Sequence, residues 1–213
     1  MKQVKVIIIA FIAVILFSPA YTNAKATTPE SRVIYIQNGG TITDPNWNNG
    51  ITFSVFAYGD SIKLNQAVEI TKTHFIMFDV LITTDETVFN SFDTLHRTKI
   101  IVGSTNALGQ DTGYSFNNSY IWGSDTPGFV LINNCNPNTI ISDIGNLIAH
   151  ESGHMFGLEH RLNPPKASYY GVAYIMSNFT GKKYITWGSE DTEILTPILG
   201  LKETDSTNVL AYN

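Results

Sequence analysis

Three of the five histidines in this 213-residue chain lie within eleven residues, at His150, His154 and His160. Residues four apart on a helix share one face, so the first two imidazoles can point at one position. The third can join them only if the chain reverses direction, and Gly157 permits such a turn. Three neutral imidazoles bind a borderline-soft ion such as Zn²⁺ and leave a fourth coordination position open for water. This arrangement is typical of catalytic rather than structural zinc.

Glu151 directly follows the first of these histidines. A carboxylate at this place could accept a proton from a metal-activated water and deliver it to a leaving amine. The alternative is a chance HExxH on a buried helix, with its histidines bonded to backbone carbonyls and no metal bound. The longer pattern, with Gly157 and His160 at the correct offsets, favours the metal site.

The segment HESGHMFGLEH resembles the zinc signature HExxHxxGxxH of the metzincin metallopeptidases. Members of that family carry a methionine-containing turn beneath the metal, and here AYIMSN places a methionine sixteen residues after the third histidine. The resemblance implies zinc ligands His150, His154 and His160, Glu151 as general base, and Met176 as the hydrophobic floor of the site.

The same resemblance implies an α+β fold. A twisted mixed sheet and two main helices would lie above a zinc cleft, in an upper subdomain of about residues 25–157. A small irregular lower subdomain, about residues 158–213, would end in a C-terminal helix. The residue after the third histidine often distinguishes branches of the family. Arg161 matches none of the matrixins, adamalysins, astacins or serralysins, so no branch is assigned.

Short segments rich in β-branched and aromatic residues predict six strands, at 33–37, 51–57, 80–84, 99–103, 119–123 and 128–133. Apolar residues at helical spacing predict helices over 61–75 and 136–157, the second carrying the histidine motif. Ser61 and Ser189 are the expected caps of the first and last helices, and Pro197 is expected to kink the last one. We expect a peptide substrate to add, in extended form, to an exposed strand edge at 119–123.

The first 24 residues have a basic start, an apolar run of about a dozen residues, and small residues at Thr22 and Ala24. This predicts a cleaved signal peptide, because a membrane span needs about 20 apolar residues. An uncleaved anchor is the less favoured alternative. We therefore expect a secreted or extracytoplasmic protein, periplasmic in a bacterium with two membranes, without stable membrane insertion after cleavage. Residues 25–213 would form one metallopeptidase domain, since no repeat or linker divides them.

Cleavage would remove Lys2 and Lys5, leaving 11 basic against 18 acidic residues and a formal charge of −7. Nucleic acid is therefore not an expected partner. Cys135 is the single cysteine, which excludes an intramolecular disulfide, and an unpaired thiol is preferred over a zinc-bound switch. Stretches 43–50 and 109–118 contain oxygen ligands that could bind a structural Ca²⁺, but turn chemistry is the preferred interpretation.

Together these features predict a secreted zinc endopeptidase, expected to be a monomer, that acts on a protein or peptide substrate. The alternative is a catalytically inactive binding or inhibitory protein that keeps zinc on the same scaffold. Glu151 favours the enzyme, because a non-catalytic descendant has no need of a carboxylate at that position.

Overall fold

The computed structural model describes residues 31–135, 141–162, 172–177 and 184–202. The predicted signal peptide lies outside these ranges, and both the peptide and the single-domain organisation stay predictions. In the described part of the chain, no helix is both long and apolar enough to cross a membrane.

The described residues contain nine strands and four α-helices. The strands are β1 (Arg32–Asn38), β2 (Gly40–Ile42), β3 (Phe53–Ala57), β4 (Val80–Thr83), β5 (Arg97–Ser104), β6 (Gly113–Tyr114), β7 (Gly128–Leu131), β8 (Val172–Tyr174) and β9 (Tyr184–Thr186). The helices are α1 (Ser61–His74), α2 (Glu86–Asn90), α3 (Ile141–Met155) and α4 (Ser189–Leu199). Short 3₁₀ turns cover Asn48–Gly50, Ser119–Ile121 and Ile132–Asn134.

A mixed sheet forms the centre of the molecule. Its parallel strands run in the order β4, β1, β5, β7, while β6 pairs antiparallel with β7. The β2–β3 hairpin adds antiparallel to the end of β5, and β8 and β9 form a separate parallel pair. The chain therefore has a mixed α+β fold, as expected from the sequence at this level of description.

Both faces of the central strands are covered, which explains the nearly continuous apolar run of β5. On one face, α1 and α3 pack together and bury residues such as Leu64 and Ile148 against the sheet. On the other face, Trp47 packs against Phe129 and donates a hydrogen bond from its indole nitrogen to the Pro127 carbonyl oxygen, at 2.9 Å. This packing fixes β7, which leads through a 3₁₀ turn towards α3.

The predicted strand at 119–123 is wrong. Asn118 adopts a left-handed conformation with φ of 59°, and Ser119–Ile121 then forms a 3₁₀ turn closed by a 3.0 Å bond from the Trp122 amide to the Ser119 carbonyl. The antiparallel strand beside β7 is instead β6, within the stretch 109–118, for which the sequence favours turns. The other five predicted strands are present, with ends that shift by up to two residues.

Two predicted helix caps are each displaced by one residue. Asp60, rather than Ser61, caps α1, because its carboxylate accepts a 3.0 Å hydrogen bond from the Lys63 amide. Gly188, rather than Ser189, is the N-cap of α4. This helix continues through Pro197 to Leu199. The motif helix is described from Ile141, and the start expected at 136–140 lies outside the described residues.

Candidate metal centre

The C-terminal half of α3 presents the first two histidines of the motif. His150 and His154 lie one turn apart on this helix, the first buried and the second half-buried. Most residues in this half of the helix are buried, so both imidazoles start from a rigid backbone. The helix thus fixes two of the three predicted ligands.

Gly157 reverses the chain directly after α3. Its φ of +95° is accompanied by a 2.8 Å bond from its own amide to the His154 carbonyl and a 2.9 Å bond from the Leu158 amide to the Gly153 carbonyl. These are the two hydrogen bonds of a Schellman motif, which favours glycine at the left-handed position. The Asn118 side chain also lies so close that a Cβ at position 157 would be 2.3 Å from its Oδ1 atom. The chain therefore makes a tight turn at Gly157, and both the positive φ and the nearness of Asn118 favour glycine there.

The reversal brings His160 to the other two histidines. The Nε2 atom of His150 lies 3.2 Å from those of both His154 and His160, and the latter two are 3.1 Å apart. These three residues form a group that could hold a metal ion.

The tautomers of the first two histidines support a cation at this point. The Nδ1 atom of His150 lies 2.6 Å from the Ile175 carbonyl oxygen, and that of His154 lies 2.7 Å from the Leu158 carbonyl oxygen. A carbonyl can only accept, so each Nδ1 carries the proton and each Nε2 of a neutral ring presents a lone pair. Burial lowers the pKa of His150 to about 4, and lowers that of His154 as well, which keeps both rings neutral at pH 7.

Two lone pairs facing each other at 3.2 Å cannot form a hydrogen bond, but they can share a cation. For a tetrahedral zinc bound to nitrogen at about 2.0–2.1 Å, adjacent ligand atoms would be about 3.3–3.4 Å apart. The observed spacing fits this requirement closely. The chance-motif alternative accounts for the two bonds to carbonyls, but not for three ring nitrogens converging on one point.

Glu151 lies on the same helix, buried beneath the sheet edge. The Ser115 hydroxyl, just beyond β6, donates a 2.6 Å hydrogen bond to Glu151 Oε2. The other carboxylate oxygen lies against Gly113, where a Cβ would be only 2.2 Å away. Burial raises the pKa of Glu151 to about 7, against the lowering effect of the Ser115 bond. A carboxyl in this state both takes up and releases a proton readily near neutral pH.

Met176 is fully buried and lies against Gly153 of α3, in the turn that follows β8. The preceding residue supplies the Ile175 carbonyl that binds His150. This turn therefore contacts both the ring of His150 and the helix that carries it. In addition, the Met176 carbonyl accepts a 2.7 Å hydrogen bond from the Arg161 amide.

A cavity of about 340 Å³ borders the cluster. Its lining includes His160, Arg161 and Tyr174, together with the start of α4 at Ser189 and Glu190. Arg161 forms ion pairs with Glu190 and with Asp191, which is fully buried. The arginine that matches no branch of the family thus connects the third histidine to α4.

The segment 115–118 contacts the motif at three places, and sequence reasoning missed it. Besides the bond from Ser115, the Asn117 side chain donates to the Glu159 carboxylate at 2.5 Å, and the Asn118 amide donates to the His154 carbonyl at 3.1 Å. The contacts span 36 to 42 residues of sequence, and no local pattern signals them.

The other side chains considered as ligands, those of Cys135 and of the stretch 43–50, make contacts away from the histidine cluster. The Cys135 thiol lies 3.4 Å from the Leu131 carbonyl, at the end of a 3₁₀ turn. In stretch 43–50, Asp44 accepts a 2.8 Å bond from the Asn46 amide, and Asn48 and Asn49 have positive φ. These are features of turns.

No family model matches this chain, and no curated protein matches it either. Among solved structures, the chain is similar to a chaperone–substrate complex (TM-score 0.44, 12% identity, 80% of this chain and 34% of that one). It is also similar to myroilysin (0.34, 11%, 82% and 61%) and to the GM1-bound form of the ECX AB5 holotoxin (0.35, 13%, 83% and 83%). The chain thus spans about a third of the length of the first of these structures and about three fifths of the length of myroilysin. These scores and identities are too low to establish a shared activity.

Proposed function

We propose that the chain is a secreted zinc-dependent endopeptidase of the metzincin type. The observation that carries the proposal is the convergence of three histidine Nε2 atoms, at most 3.2 Å apart, beside a buried carboxylate on the helix that presents two of them. His150, His154 and His160 would hold the ion. Bound zinc would act as a Lewis acid towards the peptide carbonyl and would lower the pKa of the attacking water, so that this water can lose a proton at neutral pH.

In this proposal, Glu151 moves the protons. Its carboxylate would accept a proton from the attacking water and pass it to the amine of the departing peptide. Burial raises the pKa of this carboxyl, which makes it a stronger base than an exposed glutamate. Ser115 would hold one oxygen of the carboxylate and leave the other to exchange the proton.

The substrate would lie as an extended segment along β6, which replaces the 119–123 segment as the proposed edge. Among the described strands β6 pairs with β7 alone, and the Glu151 carboxylate lies directly beneath Gly113 in this strand. Main-chain hydrogen bonds to such an edge would supply affinity with little dependence on substrate sequence.

Replacement of Glu151 by Gln tests the proposal. The change keeps size and hydrogen-bonding capacity but removes the proton acceptor. We expect zinc content to stay at one equivalent while hydrolysis falls about a hundredfold or more. The assay is digestion of an unbiased peptide library, read by mass spectrometry, with zinc measured on the same samples.

A His154→Ala variant and a chelator-treated sample serve as controls, because each should lose metal and activity together. If the wild-type protein cleaves nothing that Glu151→Gln spares while both hold zinc, the peptidase proposal fails. The chain would then be a zinc-containing binding protein.

A further inference from the structure

His160 differs from the other two histidines in how its position is fixed. Ring-to-carbonyl hydrogen bonds hold His150 and His154, but among the described residues no such bond is found for the Nδ1 atom of His160. This histidine also lies outside the helix and is exposed. Its place in the cluster must therefore depend on how the backbone around it is anchored.

The next residue provides two anchors. The Arg161 amide donates to the Met176 carbonyl at 2.7 Å, which ties the backbone to the turn beneath the cluster. The Arg161 guanidinium binds Asp191, whose side chain is 0% exposed, and also binds the exposed Glu190.

Asp191 is itself rigidly placed. Its second carboxylate oxygen accepts a 2.9 Å hydrogen bond from the Gly188 amide at the start of α4. The same helix buries Leu195 and Leu199 completely in the main core. An unpaired carboxylate buried at this position would raise the free energy of the folded state. Asp191 therefore favours the arrangement in which the guanidinium stays paired with it.

We propose that Arg161 and Asp191 form a clamp that positions His160 as the third metal ligand. The inference rests on the proposed metal centre. The two residues act through His160 and are positioning residues, because neither is placed among the ligands. Without the clamp, His150 and His154 would still face each other on α3, but the third imidazole would be held less firmly.

The test measures metal binding directly. Asp191→Asn keeps the shape but loses the charge, and Arg161→Lys loses the planar guanidinium whose Nε contacts Asp191. We expect each change to raise the dissociation constant for zinc about tenfold or more, as is typical when a ligand's supporting contacts are lost. The visible spectrum of the cobalt(II)-substituted protein should change too, because it reports the number and geometry of the ligands.

Two controls separate positioning from general stability. Glu190→Gln removes the exposed partner, whose side chain is 72% exposed. Asp125→Asn breaks a similar pair elsewhere, in which Arg97 binds both oxygens of Asp125 at 2.8 and 2.6 Å. Both variants should keep zinc affinity and the cobalt spectrum, even where thermal stability falls.

Wild-type zinc affinity and an unchanged cobalt spectrum in folded Asp191→Asn and Arg161→Lys would overturn the clamp while leaving the metal centre intact. If Asp191→Asn does not fold, Arg161→Lys decides the question by the same two readouts. The Arg161 side chain is partly exposed, so its replacement is less disruptive to folding. If the wild-type chain binds neither metal, the proposed function and the clamp fail together.

Discussion

Loss of the Ser115 hydroxyl should change the pH dependence of catalysis in a defined direction. The hydroxyl donates a 2.6 Å hydrogen bond to Glu151, and this bond stabilises the ionised carboxylate. A Ser115→Ala variant therefore raises the pKa of Glu151 further above its ordinary value. The acidic limb of kcat/KM, which reports the ionisation of a general base in the free enzyme, should move to higher pH.

The size of the shift follows from the bond. A hydrogen bond to a charged group contributes about 1.5–3 kcal/mol, which corresponds to about one to two pKa units. Burial already raises the pKa of Glu151 to about 7. On the acidic limb, the variant should thus be about ten- to a hundredfold slower than wild type, with the gap closing at higher pH. A bound cation lowers the pKa in both proteins, so the difference between them remains the predicted quantity.

The assay is kcat/KM for one peptide substrate between about pH 5 and pH 9, with zinc content measured throughout. Ser115→Thr keeps the hydroxyl and should restore the wild-type limb. Ser119→Ala is a control in the same part of the chain, because Ser119 is buried but its hydroxyl has no hydrogen-bond partner in the described structure. Superimposable acidic limbs for Ser115→Ala and wild type, both holding zinc, would refute the reasoning.

Two further predictions concern stability. Gly157→Ala should lower the free energy of unfolding by about 1–3 kcal/mol, because φ is +95° and the new methyl group meets Asn118. The measurement is urea denaturation. Gly59→Ala is the control, because a methyl group there would meet nothing within 4 Å. Burial lowers the pKa of His74, so the unfolded chain binds more protons as pH falls below about 6.5, and stability falls with it. His74→Gln, which can still bond to Asn146, should show a shallower loss between about pH 7 and pH 5.

The sequence predicted the parts of the site that depend on local geometry. His150 and His154 face one point because a helix repeats every 3.6 residues, and Gly157 marks a turn because few other residues adopt positive φ. The helix and the turn also bring the chain at His160 back towards the first two histidines, although they do not anchor it there. The third ligand was therefore accessible from the motif alone.

The partners of the motif were not accessible in the same way. Ser115 lies 36 residues before Glu151, and Asp191 lies 30 residues after Arg161. Neither spacing has a local signature, since the contacts exist only after β6 pairs with β7 and α4 packs on the core. The two-residue strand β6 was missed for a related reason, because its pairing rather than its Gly- and Asn-rich sequence makes it a strand.

The wrong strand at 119–123 shows how context overrides composition. Ser-Tyr-Ile-Trp favours a strand by propensity, but strand propensity mainly expresses packing on a pleated, half-buried surface. Here Tyr120 packs against Phe156 at the end of the motif helix, at a ring-centroid distance of 5.8 Å, while Ile121 is 59% exposed. The segment is used to support α3 rather than to extend the sheet.

The three histidines are thus held from two sides by parts of the chain far apart in sequence. From the sheet side, the Asn118 amide binds the carbonyl of His154 and its side chain packs on the turn at Gly157. On another side, the Ile175 carbonyl accepts a hydrogen bond from His150, and the Met176 carbonyl accepts one from the Arg161 amide. A cation bound at the cluster would bridge these two sides in the folded state alone, because the unfolded chain does not bring the ligands together. Metal binding and the packing of the turn at Met176 against α3 would therefore stabilise each other.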